Sequence, residues 1–543
     1  MRNVKKWLAL GLAAIMTFGV AACGNNNAPV VKESESNKGS EKVVESETQK
    51  EEQKEPVLLE WYFRGNGQQQ DTELVEARVN ELLKDYPGLE HVSININCFP
   101  SADYATKVVL AQTEGAQIDI LNTVSLDYAS HLVDGSWMPI DDYISDELKA
   151  ELPEWLWELG SYDGHIYMVP NYQNAFNAGY MLFPKEYMDK YGDYDAMYEV
   201  LTDPDKSITE KMGVLEEYVL AVRAGEGNTK YAGAVGQIDK GQLGFYFKTP
   251  YDHLANYFIV ENDGQHKVEY LFASDEMKEI WSVYAEWYKK GIYAPDGVTT
   301  NNPDYGFQHM MENVANVYTG CCGVGEAEYV ANNYSLAWGF DTVAIPIQEY
   351  NYVQNSWGAG GNGVSSTCEH PEEAVLFIEA LTTGTELGKE IYNTMVYGIE
   401  GKHYIKDAND PNRIETIEYA TGQGGSDTSY AGLKWIIGNS FYAYKNQSVM
   451  DGQYENYKKY NEAPETQSSA HNGFMVSSDN VTGEIEAINK VKSTYIAALQ
   501  TGVQGDNFEA YYEEFIKALY DAGMQKVIDE YQKQLDAWLA AKK

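Results

Sequence analysis

Basic residues are scarce in this 543-residue chain. Lysine and arginine number 40 against 82 aspartates and glutamates, which gives a formal net charge of −42 at pH 7. Binding of nucleic-acid phosphates requires clustered Lys and Arg side chains, so this composition argues against a nucleic-acid partner. It also disfavours an electrostatic contact with anionic lipid.

Cysteine is sparse as well. The five cysteines are Cys23, Cys98, Cys321, Cys322 and Cys368. None has CxxC spacing, so neither a zinc knuckle nor a thioredoxin-type site is predicted. The adjacent Cys321 and Cys322 can hardly form a relaxed disulfide with each other. We therefore expect the four downstream cysteines to act as small buried apolar residues.

The motifs of several enzyme classes are missing. No Gly-rich loop carries a P-loop lysine, and neither HExxH nor GxSxG occurs, which argues against nucleotide hydrolysis, zinc proteolysis and a serine-hydrolase elbow. Asp407–Pro411 begins like a calcium loop, but Pro411 and the lack of a central Gly break that pattern. We predict no metal and no cofactor. A glycoside hydrolase needs two carboxylates at a set distance, which sequence does not show, so that class stays open.

The one long apolar run lies at the start. Arg2, Lys5 and Lys6 precede Trp7–Ala22, a run of about 16 residues that is shorter than the roughly 20 needed to span a bilayer. It is typical of a secretory signal. Val20-Ala21-Ala22-Cys23 resembles the bacterial lipobox, so Cys23 is predicted to be lipidated and to begin the mature chain. A plain signal peptide with an incidental Cys23 is the alternative.

Residues 23–55 are predicted to be a disordered tether. They contain no aromatic residue and are rich in Asn, Ser, Glu, Lys and Gln, so they bury too little apolar surface to offset the entropy of ordering. Lipid anchoring through Cys23 would leave the rest of the chain in water. The expected location is the extracellular face of the cytoplasmic membrane, and the long tether favours a Gram-positive-type bacterium.

The chain from Pro56 to Lys543 is too long for one ordinary core, which favours two lobes. Its start predicts an α/β lobe with a parallel sheet. A buried strand at Val57–Phe63 is followed by a helix capped by Asp71, and strands at Val92–Cys98 and Ile118–Asn122 flank a second helix.

The C-terminal part has strong helical periodicity. Ile485, Ile488, Val491, Tyr495 and Leu499 fall on one helix face that ends at Gly502. The spacing of residues 506–509 predicts a capping box before a long amphipathic helix pair. Such apolar stripes are far more often core packing than partner sites.

Several segments resemble one family when taken together. They are Gln117–Thr123, Tyr162–Pro170 (a "Y-x-G-K-x-Y-x-x-P" segment with His165 at the Lys position), Glu369–Ala374, and Tyr397–Tyr404 with Tyr531–Leu535. The chain resembles the extracellular solute-binding lipoproteins of bacterial ABC importers, of the carbohydrate-associated family 1 type, in the subgroup with an extended C-terminal region. The resemblance covers Pro56–Lys543.

The resemblance implies an α/β fold of the two-lobe, periplasmic-binding-protein-like type II class, with a hinge and a ligand cleft at the interface. It places residues 56–170 with about 313–352 in lobe 1. It places about 171–312 with 353–543, including a helical C-terminal extension, in lobe 2. A permease and its ATPase would be separate chains, and the chain itself would be a monomer and not an enzyme.

Sugar binding requires flat aromatic platforms for C–H faces and polar groups for hydroxyls. Ligand is expected outside the carboxyl ends of the strands. Residues at those ends, at the lobe crossings and in one later loop are therefore the predicted ligand contacts: Asn66, Gln68, Gln69, Asn122, Thr123, Ser125, Asp127, Tyr172, Asn174, Trp357 and Asn439.

The predicted function is capture of a solute, preferably an oligosaccharide, and its delivery to an ABC permease. A peptide or another polar solute is the alternative within binding proteins. A surface-tethered glycan hydrolase and a sensor or adhesion module without a permease are alternatives from other classes.

Overall fold

The computed structural model describes most of the chain after residue 53, in these ranges: 54–126, 128–174, 180–227, 251–261, 263–292, 326–346, 352–353, 360–417, 429–462, 467–471 and 473–542. The strands are β1 (Val57–Gly65), β2 (Val92–Pro100), β3 (Ile120–Asn122), β4 (Ser161–Tyr162), β5 (His165–Ile166), β6 (Met168–Pro170), β7 (Tyr180–Pro184), β8 (Tyr251–His253), β9 (Phe258–Glu261), β10 (Val268–Tyr270), β11 (Thr342–Pro346), β12 (Tyr352–Val353), β13 (Gly361–Val364), β14 (Tyr404–Lys406), β15 (Ile414–Thr416) and β16 (Gln467–Ser468).

The α-helices alternate with these strands at the start and dominate at the end. They are α1 (Thr72–Leu83), α2 (Tyr104–Glu114), α3 (Tyr128–Val133), α4 (Asp146–Glu151), α5 (Glu154–Leu159), α6 (Lys185–Tyr191), α7 (Tyr194–Thr202), α8 (Ile208–Gly225), α9 (Asp275–Lys289), α10 (Ala327–Trp338), α11 (Pro371–Ala380), α12 (Glu386–Tyr397), α13 (Gln453–Glu462), α14 (Thr482–Thr501), α15 (Phe508–Asp521) and α16 (Met524–Lys542). None of the helices within the described ranges is both long and apolar enough to cross a membrane.

A five-stranded sheet organises the first lobe, in the order β2-β1-β3-β13-β6. β1 pairs in parallel with β2 and β3, as the alternation of strands and helices predicts, whereas β13 is antiparallel to both of its neighbours. Glycine allows β13 to fit between them, since a Cβ at Gly361 would lie 2.6 Å from the carbonyl oxygen of Val169, and one at Gly363 would lie 2.6 Å from that of Tyr167.

Two hydrophobic cores define the lobes. The first core draws mainly on residues 57–172 and 364–457, and the second mainly on residues 181–292 and 474–535. The ribbon of β7 and β11 lies between them, because alternate residues of a strand point to opposite faces. Tyr180 and Leu182 pack into the first core, whereas Met181 and Phe183 pack into the second.

This packing departs from the expected lobe boundaries. Residues 353–543 were assigned to lobe 2, yet the part from β13 to α13 belongs to the first core. The physical reason is that β13 completes the first sheet, that α11 packs on β13, and that α12 packs on α1 and α11. The last crossing between the lobes therefore comes between Tyr457 and Phe474, about a hundred residues later than expected.

The second lobe is built on aromatic residues and C-terminal helices. The antiparallel sheet β8–β9–β10 packs with α9 and with α14 to α16, and Trp281 is fully buried among them. α14 ends at Gly502 with φ of 65°, as predicted, and a Cβ there would lie 2.0 Å from the carbonyl oxygen of Tyr284. The stretch 251–270 contains all three strands of this sheet.

Asp71 does precede α1 as predicted, but neither predicted N-terminal cap forms its side-chain hydrogen bond. Asp71 makes no capping hydrogen bond to α1, because its carboxylate contacts Lys402 at 2.8 Å and His403 at 3.1 Å. These partners lower the pKa of Asp71 to about 2, with the hydrogen bond from Lys402 as the main cause. At α15 a 3₁₀ turn, Gly505–Asn507, leads into the helix without a side-chain cap. Long-range ionic partners and local backbone geometry thus override the sequence pattern.

Two of the cysteines are described, and both agree with their predicted role. Cys98 and Cys368 are unpaired and buried. Burial raises the pKa of the Cys98 thiol to about 11 and that of the Cys368 thiol to about 12. Both side chains therefore behave as small apolar groups at neutral pH. Cys23, Cys321 and Cys322 lie outside the described residues.

Candidate ligand-binding edge of the first sheet

The carboxyl ends of β1, β3 and β6 lie on one edge of the first sheet. β1 and β3 are parallel, and β13 runs antiparallel to both β3 and β6, so β6 points the same way. The chain enters β13 at this edge, where Thr123 N donates to the Gly361 oxygen at 2.9 Å and Asn171 N to the Gly360 oxygen at 2.8 Å. Four separate segments therefore meet at this edge, as expected for ligand sites of open α/β sheets.

Three buried asparagines line this edge and form what we name the asparagine clamp: Asn122, Asn171 and Asn362. Asn122 Nδ2 donates to the Ile436 oxygen at 2.9 Å, and Asn171 Nδ2 donates to the same oxygen at 2.7 Å. Asn362 Nδ2 lies 3.4 Å from Asn171 Oδ1. The clamp thus fixes the backbone around residue 436 on the edge of the sheet. Residues 431–436 are called the clamped segment.

The clamped segment brings an aromatic ring to the end of β1. The Arg64 guanidinium carbon lies 4.8 Å from the centroid of the Trp435 ring, a cation–π geometry. Partial burial lowers the pKa of Arg64, and its Nε has no hydrogen-bond partner. Trp435 is half-buried. The pair places a flat apolar face and a half-buried guanidinium at the same edge, with the Arg64 Nε atom itself buried.

Residues predicted after β1 bond mainly to the protein itself. Asn66 Nδ2 and Gln69 Nε2 both donate to the Ala431 oxygen, at 2.8 and 2.9 Å, and Gln69 Oε1 accepts from Ala431 N at 3.0 Å. Gln68 Nε2 donates to the Ile96 oxygen at 2.6 Å. Asn66 and Gln69 therefore hold the backbone of the clamped segment, whereas Gln68 bonds to β2.

A narrow cavity separates β1 from the clamped segment. Arg64, Asn66, Gln69 and Cys98 line it, together with the backbone around Ala431. It has room for about one water molecule rather than a sugar ring. A sugar would therefore have to lie on the open side of the edge.

Four further predicted residues are buried at the edge or the crossing: Asn122, Thr123, Tyr172 and Asn439. Thr123 Oγ1 accepts from Gly361 N at 2.9 Å, and Asn439 Nδ2 donates to Glu151 Oε1 at 3.0 Å. Tyr172 is only 1% exposed, and its hydroxyl lies 3.2 Å from Glu462 Oε1. In this conformation Tyr172 connects the first and last crossings and offers no ring face to a sugar.

Two predicted residues keep their polar groups available. Ser125 is exposed and adopts φ of 67°, and Asn174 is half-buried at the crossing. Neither makes a side-chain hydrogen bond to another described residue. A non-glycine residue held at positive φ is strained, which is common at ligand sites. The predictions for Asp127 and Trp357 lie outside the described residues.

The sequence reasoning missed Arg64, Asn171, Asn362 and Trp435. Asn171 adjoins the predicted residue Tyr172 and Arg64 lies two positions before the predicted Asn66, so their place at the carboxyl end of a strand is the available signal. Trp435 lies in the stretch Leu433–Ile437, which is apolar except for Lys434 and is typical of core. No local pattern shows that this stretch returns to the edge of the sheet.

No metal-binding geometry is found in the described part of the chain, where no group of three His, Cys, Asp or Glu side chains is arranged to hold one metal ion. In the calcium-like loop, Asp407 Oδ1 accepts from Asn409 N at 2.7 Å and from Asp410 N at 3.3 Å. The Asp407 carboxylate thus closes a turn. The expectation of no cofactor stays a prediction.

Comparison with known proteins agrees with this architecture. Residues 77–400 match the family described as bacterial extracellular solute-binding protein. The chain belongs to this family. Residues 470–540, which include α14 to α16 of the solute-binding protein, match a domain of unknown function.

Relatives match the whole length of this solute-binding protein. A carbohydrate ABC transporter substrate-binding protein of Streptococcus pneumoniae is 25% identical over 100% of both chains. The crystal structure of the N-glycan transport solute-binding protein NgtS from the same species gives a TM-score of 0.69 at 22% identity, covering 90% of this chain and 100% of NgtS. An HMO-binding, ABC-transporter-associated solute-binding protein from Bifidobacterium longum infantis gives a TM-score of 0.55 at 15% identity, covering 89% of this chain and 99% of that protein. The predicted family and two-lobe α/β fold are confirmed.

Proposed function

We propose that this solute-binding protein captures an oligosaccharide between its lobes and delivers it to the permease of an ABC importer. The observation that carries this proposal is the end-to-end match with a carbohydrate ABC transporter substrate-binding protein. NgtS, which shares the fold, has been crystallised with Man5GlcNAc, at a TM-score of 0.60 to this chain and 23% identity. Both relatives favour a glycan over a peptide or another polar solute.

The sugar would lie on the open side of the sheet edge. Trp435 would supply a flat face for sugar C–H groups, and the half-buried guanidinium of Arg64 beside it would supply N–H donors for hydroxyl oxygens. Ser125 and Asn174 supply further polar groups. The asparagine clamp would position Trp435 without touching the sugar, because its amides already bond to the backbone.

The remaining parts of the proposal concern location and partners. Lipidation of Cys23 and a tether over residues 23–55 would hold the protein on the outer face of the cytoplasmic membrane, with a Gram-positive-type bacterium as the preferred source. The protein would act as a monomer, and the energy for transport would come from separate permease and ATPase chains. It would bind its ligand without cleaving it.

The test is thermal unfolding of residues 54–543, which form one compact unit, against mono- and oligosaccharides, amino acids and short peptides. A ligand that binds only the folded state stabilises it by about 2.7 kcal/mol at a hundredfold excess over its Kd. We expect a rise of the midpoint with one class of glycan, recovered intact. A rise with peptides alone would overturn the carbohydrate assignment, and a cleaved glycan would indicate a hydrolase.

Substitution of Trp435 locates the site. We expect Trp435→Ala to weaken glycan binding at least tenfold because the stacking face is lost, and Trp435→Phe to retain part of the affinity. Trp155→Ala is the matched control, because Trp155 is also half-buried against the first core but lies on α5. Unchanged affinity in Trp435→Ala, measured by calorimetry, would move the site away from this edge.

A further inference from the structure

A buried ionisable network lies in the second lobe, away from the sheet edge proposed to bind sugar. His471 Nδ1 lies 2.6 Å from Asp252 Oδ2, and Ser469 Oγ donates to the same oxygen at 2.5 Å. His266 Nδ1 lies 2.9 Å from His471 Nε2. Asp252 and His471 are both 0% exposed. The four residues Asp252, His266, Ser469 and His471 are named the histidine latch.

The latch joins residues 467–471, which we call the last crossing segment, to the second lobe. Ser469 and His471 follow β16, which pairs in parallel with β12. Asp252 lies in β8, and His266 lies in the turn before β10. The latch is therefore a side-chain link between the chain that leaves the first lobe and the sheet it enters.

The latch does not have the geometry of a nucleophilic triad. In such a triad the serine hydroxyl faces an imidazole nitrogen, which removes its proton. Here the Ser469 hydroxyl faces the Asp252 carboxylate, and Ser469 is buried. Its role is to satisfy a buried charge rather than to attack a substrate.

The contact between the two imidazole rings limits how many protons the latch can hold. With both rings neutral, His471 Nδ1–H donates to Asp252, and His471 Nε2 accepts from His266 Nδ1–H. One added proton is also tolerated, because His471 Nε2–H can then donate to a neutral His266 Nδ1. A second added proton places two N–H groups face to face, and the contact breaks.

We propose that the histidine latch is a proton-sensitive fastening that holds the last crossing segment on the second lobe and releases it when both rings are protonated. The segment belongs to the connection between the lobes, so its release would weaken closure on the ligand. This consequence for binding rests on the proposed function. The opening of the latch does not.

Other charged groups surround the latch and must be separated from it. His253 lies on β8 and Lys267 follows His266, where it pairs with Glu269. On α16, Gln532 donates to the His266 oxygen and to Asp536. Burial, followed by repulsion from Glu276, Glu269 and Asp263, raises the pKa of Glu261 on β9 to about 7.

The sign of the latch effect follows from proton counting. Histidines in an unfolded chain titrate near pH 6.5. Below that pH an unfolded chain can bind a proton on each ring, whereas the geometry of the closed latch admits at most one added proton, so stability falls as pH falls. The unfolding constant should rise about tenfold per pH unit until the latch opens. Glu261 acts in the opposite sense, because its raised pKa makes the folded state bind the extra proton, so its stabilising effect grows as pH falls from about 7.

The experiment compares ligand-free chains by urea unfolding between pH 7.5 and 5.5, in a Glu261→Gln parent that removes this opposing effect. His266→Gln keeps a hydrogen-bonding partner for His471 but removes one titrating ring. In the parent, the latch should raise the unfolding constant about tenfold for each pH unit by which the pH falls. We expect this tenfold factor to be absent in His266→Gln. Exposed His165 serves as the control, and His165→Gln should behave as the parent does. The other histidines, including His403, are present in every chain compared, so their contributions to the pH dependence cancel.

Equal slopes for the parent and His266→Gln would overturn the proposal. If His266→Gln fails to fold, histidine-selective NMR of the parent provides the test instead, by following the protonation of the His266 and His471 rings. We expect the two rings together to gain one proton before the contact between them is lost. Simultaneous protonation of both rings with the contact intact would also overturn it. Glycan affinity at pH 7.5 and 5.5 forms a separate arm, so failure to bind any glycan would affect the proposed function alone.

Discussion

The asparagine clamp of the first lobe and the histidine latch of the second perform similar structural tasks with different chemistry. Each holds a segment from far along the chain against a sheet, and each is buried. The clamp uses amides, which do not titrate, whereas the latch uses a carboxylate and two imidazoles. The proposed sugar edge is therefore built to keep its shape over a range of pH, and the fastening of the last crossing is not.

The largest expected effect comes from giving the clamp a charge. Asn122→Asp would direct a buried carboxylate at the oxygens of Gly361 and Ile436, which now accept hydrogen bonds from the amide. We expect a loss of about 3–5 kcal/mol in the free energy of unfolding at pH 7, measured by urea titration. Asn412→Asp, at an exposed position, is the control. A similar small effect in both chains would show that the clamp does not hold the segment.

A smaller effect is expected from removing the charge of the latch. Asp252→Asn preserves shape but weakens the bonds from His471 and Ser469, so we expect a loss of about 2 kcal/mol at pH 7.5. Asp205→Asn, at an exposed position, controls for the change of charge. If Asp252→Asn were as stable as the parent, the latch would not contribute to stability, and its contrast with the clamp would disappear.

The smallest expected effect tests whether sensitivity to pH depends on the lobe in which a contact lies or on the ionisable groups that form it. Asp71 forms an ionic contact with Lys402 and His403 inside the first lobe. Its pKa is lowered to about 2, so its stabilising effect is present above pH 4 and is lost as pH falls towards 2. Because Lys402 is partly exposed, we expect Asp71→Asn to cost about 1 kcal/mol at pH 7.

Urea titrations of Asp71→Asn at pH 7 and pH 3 measure this difference, with the exposed Glu73→Gln as the control. We expect the difference from the parent to shrink at the lower pH. A constant difference would mean that Asp71 acts through packing rather than through charge. In that case ionic contacts of the first lobe would be as insensitive to pH as its amides.

Local patterns predicted the elements that local physics determines. The apolar run of β1, the strand pattern of β2 and the apolar stripes of α14 to α16 follow from residues close in sequence, and the structure confirms these elements. The same holds for the helix end at Gly502, where a positive φ favours glycine. The segments that resemble the solute-binding family likewise predict the family and the fold that the comparisons confirm.

The candidate site could be predicted only in part, because its geometry depends on distant pairings. Asn122 was chosen for its place after β3, but its bond to Ile436 spans 314 residues of sequence. Nothing near Trp435 marks it as part of the edge. The lobe boundaries failed for the same reason, since β13 returns to the first sheet after the chain has visited the second lobe.

The position of β13 also has a consequence for how the chain folds. β3 and β6 have no direct pairing with each other, because β13 lies between them and pairs with both. Until residues 361–364 arrive, both strands present unpaired edges, which are prone to join other chains. Contacts of such long sequence separation also form slowly. Because the chain is synthesised from its N-terminus, it would expose an unfinished first sheet while the second lobe is being synthesised. A fragment that ends before residue 360 should therefore aggregate rather than fold.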